Sequence, residues 1–172
     1  MNIYQEDINL KTKARINYIN ITDKVKSIIK KSNVKNGLVL VQTSHTTCSV
    51  LFEEYVHDKD FNGDEYLQVD LNHILDKLVP RELSENTNYR YPGPKHVAFL
   101  QELAKKNPNY PADPGTILNG DAHIRGSLFG GNQTFAIKDS QMLTGSVGYI
   151  YFVDWDQNRP RNRVCHVLVM GE

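Results

Sequence analysis

Apolar and polar positions alternate loosely over residues 2–21, with Ile3, Ile8 and Leu10 followed by Ile19 and Ile21. This alternation predicts two strands joined by a polar turn. Thr22 or Asp23 can then cap a helix whose apolar stripe is Val25, Ile28 and Ile29. Asn36-Gly37 is expected to end that unit, because glycine accepts the left-handed conformation that follows many helices. Leu38 to Gln42 and Val50 to Phe52 are apolar runs of strand length, and the polar string Thr43-Ser44-His45-Thr46-Thr47 lies between them. Leu67, Leu71, Ile74, Leu75 and Leu78 recur at helical spacing and predict a helix from Glu65 to Val79, stopped by Pro80.

The pattern changes from Ser84 to Asn119. Pro92, Pro94, Pro108, Pro111 and Pro114 fall in this stretch, which reads as a long surface excursion. Segments of this length are usually functional or disordered. Lys95 to Lys106 can form a short helix inside it through Val97, Leu100 and Ala104. Beyond Gly120, Asp121 to Phe129 fits a helix, and Thr134–Ile137, Gly148–Val153 and Arg163–Val169 read as strands. Strands outnumber helices without strict βαβ alternation. An α+β domain with a mainly antiparallel sheet is therefore expected.

Composition narrows the class. The chain has 172 residues, 40% apolar and 23% charged, which suits one soluble globular domain. No apolar run approaches membrane-helix length. Met1 to Leu10 holds Glu6 and Asp7 and lacks the apolar core of a secretory leader. Cys48 and Cys165 make neither a disulfide framework nor a zinc knuckle, so a cytoplasmic protein with reduced thiols is expected. Twenty basic and twenty acidic residues cancel, which argues against a nucleic-acid partner. The charge is uneven along the chain. Residues 1–40 hold eight basic and three acidic residues, a balance of +5, whereas residues 51–88 hold three and ten, a balance of −7. These are solvated faces, or opposite patches that meet between subunits.

Three places could carry chemistry. His45 stands in a polar loop between two strands, where Thr46 and Thr47 could donate to an anion or orient the imidazole; a structural or merely exposed loop histidine is the plainer reading. In Asn119-Gly120-Asp121-Ala122-His123-Ile124-Arg125, Asp121 either caps the following helix or works with His123 at one centre. A first-turn His123 would be held neutral by the helix N-terminus. Arg159, Arg161 and Arg163 form a phosphate cradle or a solvated hairpin turn. Elsewhere, His73 is expected on an exposed helix side, His166 and Cys48 in the core, His57 in an acidic loop and His96 in the proline-rich segment.

The order of these pieces resembles the YjbQ-like family, a group of small proteins described as secondary thiamine-phosphate synthases. The matching residues are His45-Thr46-Thr47-Cys48-Ser49, Glu53-Glu54, Leu78-Val79-Pro80, Tyr89-Arg90-Tyr91, Asn119 to Arg125, Gly145-Ser146-Val147-Gly148 and Arg161-Asn162-Arg163. Two departures stand out. Tyr91 occupies the place of a family histidine, with about 25 extra residues before Asn119 and His96 as the substitute imidazole. Val147-Gly148 stands where the family has Trp-Gln.

The resemblance implies a sandwich-like α+β subunit with packed helices, one domain over 1–172 with an insertion at about 92–117. It implies assembly as a homotrimer, a site near the subunit contacts and a small phosphorylated metabolite as ligand; from the composition, no nucleic-acid or membrane partner is expected. It assigns a divalent metal, zinc or magnesium, to His45 and His123 with His96. Asp121 and Glu54 become the catalytic carboxylates, and Thr46, Thr47, Arg125, Arg161 and Arg163 the phosphate-binding groups. The implied reaction joins a hydroxymethylpyrimidine diphosphate to a thiazole phosphate. A metal-assisted phosphate or ester hydrolase, or a non-catalytic metal- or metabolite-binding trimer, would use the same residues.

Overall fold

A computed structural model of the chain describes residues 1–84, 87–107, 110 and 113–172. The expected placements of Pro108 and Pro111 lie outside the described residues. Strands β1 (Asn2–Thr12), β3 (Gly37–Thr43), β5 (Asn132–Lys138), β6 (Gln141–Met142) and β8 (Arg161–Gly171) form one sheet in the order β1-β8-β3-β5-β6. Strands β2 (Asn17–Asn20), β4 (Cys48–Glu54) and β7 (Gly148–Asp154) form a second in the order β2-β7-β4. Every pairing is antiparallel. Helices α1 (Thr22–Ser32), α2 (Tyr66–Leu78), α3 (Gly93–Lys106) and α4 (Gly120–Phe129) complete the described elements, with one 3-10 turn at Pro114–Ile117. The α+β class is as the sequence predicts.

One core lies between α1 and the inward faces of the two sheets. Val25, Ile28 and Ile29 of α1 pack with Val39, Val41, Val167 and Val169 of the larger sheet and Val50, Ile150 and Phe152 of the smaller. A second cluster, with Leu75, Ala122, Tyr151 and Trp155, lies where α2 and α4 meet the smaller sheet. None of the described helices is long and apolar enough to cross a membrane.

Three expectations need correction. Thr22 does not cap α1. Its hydroxyl accepts from the Ile150 backbone N–H at 2.8 Å, tying the helix to β7 instead. Asn33, at φ 57°, makes the left-handed turn expected at Asn36-Gly37. Gly37 opens β3, where a Cβ would lie 2.0 Å from the Met170 carbonyl oxygen, so its small size serves strand pairing. The α2 stripe is not a core stripe: Leu75 is buried, whereas Leu67, Ile74 and Leu78 are 44%, 61% and 69% exposed. The helix meets the small sheet along one edge only. Inside the proline-rich stretch, the helix expected at Lys95–Lys106 is present as α3, 14 residues long with no buried residue.

Candidate functional site

The polar loop 44–47 leaves β3 and enters β4, and α4 packs directly against it. Gly126 makes this possible. A Cβ there would lie 2.5 Å from the Thr46 carbonyl oxygen, so only glycine lets the helix approach so closely. The approach brings His123, one turn earlier on α4, onto the same cleft as His45. Both line a cleft of about 380 Å³ whose other walls come from α3, the 3-10 turn and the β7–β8 connection.

The cleft floor is a buried ionic network. Asp154 and Asp156 are fully buried. Arg163 binds Asp154 through two bonds of 2.8 Å and gives a third, 3.0 Å long, to the Thr47 hydroxyl. Thr12 donates to Asp154 at 2.7 Å. Arg161 pairs with Asp156 at 2.5 Å, and Asn119 donates to the same carboxylate at 3.2 Å. Asn158 reaches the Gly115 and Leu118 carbonyls, which straps the 3-10 turn to the β7–β8 connection. Arg159 differs from its neighbours. Among the described residues it makes no ion pair with an acid, its buried Nε lacks a hydrogen bond as that of Arg161 does, and burial with the nearby Arg161 charge pulls its pKa down, opposed by Asp156. Three guanidinium groups thus face two carboxylates, leaving one positive charge in excess.

The histidines are tuned toward neutrality. Burial, then the nearby Arg163 charge, lowers the pKa of His45 below its ordinary 6.5. His123 is lowered mainly by burial, with His96 and the arginines adding to the effect. His45 Nε2 accepts from the Val164 backbone N–H at 3.0 Å, so the ring proton sits on Nδ1. Tyr91 lies between His96 and His123, its ring centroid 5.3 Å from each, and its hydroxyl is 3.3 Å from His96 Nε2.

A lowered histidine pKa has a consequence for stability. The unfolded chain takes up these protons near pH 6.5 and the folded chain only at lower pH. Stability from His45 and His123 is therefore complete above about pH 6.5 and declines as the pH falls below it. Thermal denaturation should show a constant Tm from pH 7 to 8 and a falling one from pH 6.5 to 5. In His45→Gln, whose amide does not titrate, that fall should be shallower; an unchanged slope would exclude His45 as a contributor.

The structure brings His45, His96, His123, Thr46, Thr47, Arg161 and Arg163 onto one cleft. It separates three other candidates from it. Arg125 is fully buried and binds Asp76 at 2.8 Å and the Val79 carbonyl at 2.7 Å, so it joins α4 to the end of α2 rather than holding phosphate. Glu54 is exposed at the far end of β4, about 20 Å from the loop at the rise of an extended strand. Asp121 is buried outside the cleft, where desolvation raises its pKa and bonds from backbone N–H groups, Glu82's among them, oppose the rise. Glu82 accepts from the Gly120 N–H at 2.5 Å, so Asp121 and Glu82 clamp the start of α4 to the segment after α2. Asp121 positions His123 without touching the cleft. His166 is also misplaced in the sequence reading: it lies on the partly exposed face of the larger sheet, bonded to Asp7 and Ser44.

The residues fit a three-histidine metal centre poorly. The backbone occupies His45 Nε2, and its Nδ1 carries the proton. Among the described residues no group of three or more His, Cys, Asp and Glu could hold a metal ion. Asp154 is the group that sequence reasoning missed, together with the pairing of Asp156 with Arg161 and Asn119. The signal was present as Asp154-Trp155-Asp156 shortly before three arginines, acid and base in number nearly equal.

Comparison with known proteins matches this architecture. The profile of the family described as "UPF0047 protein YjbQ-like" aligns with residues 6–172. A UPF0047 protein of Methanocaldococcus jannaschii is 29% identical, over 95% of this chain and 91% of its own. UPF0047 protein YugU of Bacillus subtilis is 23% identical, over 95% of this chain and 97% of its own. A crystal structure of a Sulfolobus solfataricus protein of unknown function superposes with a TM-score of 0.72 at 20% identity, over 99% of this chain and 98% of that one. An uncharacterised YjbQ/UPF0047 protein of Clostridium acetobutylicum gives 0.68 at 25%, over 96% and 99%.

Proposed function

The chain belongs to the YjbQ-like UPF0047 family, and from that premise we propose that its cleft binds phosphorylated metabolites and couples two of them, as a thiamine-phosphate synthase does. Arg159 carries this reading. A partly buried guanidinium without an acidic partner, beside Arg161 and Arg163, is a poor arrangement for an empty protein and a good one for a bound phosphate. In the coupling, the bond from the pyrimidine's exocyclic carbon to pyrophosphate breaks and a bond to the thiazole nitrogen forms. The leaving pyrophosphate is the group that Arg159, Arg161 and Arg163 would stabilise. Thr46, exposed at the cleft, would donate its hydroxyl to a phosphoryl oxygen. His123, neutral at rest, would take a proton as phosphate binds or return one to the departing oxygen. No step is assigned to a metal.

The test combines binding with product analysis. Pyrophosphate binding, followed by calorimetry, should weaken at least 10-fold in Arg159→Ala, because a charged hydrogen bond of roughly 1.5–3 kcal/mol is removed. The wild type should form thiamine phosphate from the two phosphorylated precursors. Unchanged pyrophosphate affinity in the variant would remove the basis of the assignment. Release of inorganic phosphate without coupled product would instead identify a hydrolase.

The exposed α2 stripe supports assembly as a homotrimer. Leu67, Ile74 and Leu78 lie on a segment of acidic balance, and the N-terminal 40 residues supply the opposite charge. Light scattering should give three times the 19.7 kDa chain mass. Ile74→Asp, which places a charge in the stripe, should shift the mass toward the monomer while the Tm of the folded subunit persists. A wild-type monomer would end the assignment.

A further inference from the structure

On the open face of the larger sheet, β8 places Cys165, Val167 and Val169 inward and His166 and Leu168 outward, as strand alternation requires. Asp7 of β1 is the direct cross-strand partner of His166. Ser44 follows the last residue of β3, Thr43, which pairs with Cys165, so the loop starts beside the imidazole. The three side chains are bonded in series. His166 Nδ1 lies 2.8 Å from the Asp7 carboxylate, and His166 Nε2 lies 3.3 Å from Ser44 Oγ. A carboxylate only accepts, so Nδ1 carries the ring proton and Nε2 is left to accept the serine hydroxyl.

We propose that Ser44, His166 and Asp7 form a serine nucleophile, its general base and its orienting carboxylate, acting on short acyl esters of anionic alcohols. The order of roles is that of a nucleophile bonded to a base that is itself held by a third group. The surroundings select the substrate class. Beside His166 is a hollow of about 310 Å³ lined by Leu40 and Leu168 with Gln5 and Gln42, which has the size and polarity for a short acyl chain. On its other side Ser44 lines the arginine-rich cleft, where an anionic alcohol would be held and where the carbonyl oxygen would find positive charge as it becomes an oxyanion. The serine thus stands between a hollow of mixed lining, with Leu40 and Leu168 as its apolar part, and a cationic one.

The chemistry balances without any further reagent than water. Ser44 Oγ attacks the ester carbonyl carbon as its proton passes to His166 Nε2. The carbon–oxygen bond to the alcohol then breaks, and the alcohol oxygen takes the proton from His166. Water, reaching the partly exposed site, repeats the sequence on the acyl-serine and releases the carboxylic acid.

A fluorophosphonate probe and p-nitrophenyl acetate test the proposal on the full chain. Intact mass and peptide mapping should find one adduct per chain, on Ser44. His166→Ala should slow labelling and ester hydrolysis at least 100-fold, and Asp7→Asn at least 10-fold, by disturbing the ring tautomer. Both variants should keep the wild-type Tm within a few degrees, since the groups are partly exposed, and both should bind pyrophosphate as the wild type does. An unlabelled wild-type protein, an adduct elsewhere, or equal labelling of His166→Ala would overturn it. Loss of pyrophosphate binding with intact labelling would count against the coupling reaction alone.

Discussion

Asp154→Ala is expected to destabilise the folded chain by about 3–5 kcal/mol, the usual cost of removing one partner from a buried ion pair. Asp154 is fully buried and accepts two bonds from Arg163, one from Thr12 and one from the Asp156 backbone N–H. Its loss leaves the Arg163 guanidinium in the interior with only the Thr47 hydroxyl and the distant Asp156, at 3.9 Å, for company. It also releases Thr12 of β1 from the end of β7, so both sheets lose a shared anchor. For a chain of 172 residues this corresponds to a fall in Tm on the order of 10 °C. Asp154→Asn keeps the shape and removes the charge, and should recover only a minor part of the loss. A Tm within 2 °C of the wild type in Asp154→Ala would show that the network is held elsewhere.

His123→Ala should lower kcat/KM for thiamine-phosphate formation by about 10²–10⁴-fold, the range of a single general acid–base group, while the Tm changes by a few degrees at most. His123 is half-buried, and Asp121, Glu82, Arg125 and Gly126 fix α4 in place without it. The imidazole can therefore be removed from the cleft without releasing its helix. Asp121→Ala should behave differently. It should lose stability together with activity, because it loosens the clamp at the start of α4. Wild-type turnover in His123→Ala would exclude the histidine from the reaction, and a collapsed Tm would show that its role is structural.

The sequence carried local information faithfully and long-range information unevenly. The stripe of α1 was legible because every member of it is covered by one core. The stripe of α2 has the same periodicity, yet three of its five members are exposed, since spacing tells which residues share a face and not what lies against that face. Arg125 was readable as a charge but not as a buried one. Its partners, Asp76 and Val79, lie more than 40 positions away in the chain, and only the docking of α4 on α2 brings them together. Glu54 failed for a geometric reason: nearness to His45 in the sequence becomes distance when a strand intervenes. His45 and His123 line one cleft because α4 packs on the 44–47 loop at Gly126, a residue without a functional group, and no reading of chemistry-bearing residues would have chosen it.

The place of β8 in the larger sheet has a bearing on how the molecule is made. Among the described residues β1 pairs with β8 alone, and β8 is also what joins β1 to β3. On the ribosome, β1 through β7 emerge before Arg161–Gly171 does, so until then β1 has no hydrogen-bonding neighbour and β3 lacks one of its two. The contacts that close the sheet, such as Ile8 with Cys165, span most of the chain, and pairings of such long range form slowly. Until β8 emerges, the nascent chain therefore exposes strand edges of β1 and β3 that β8 later covers, the state in which association with other chains and recruitment of chaperones are most favoured.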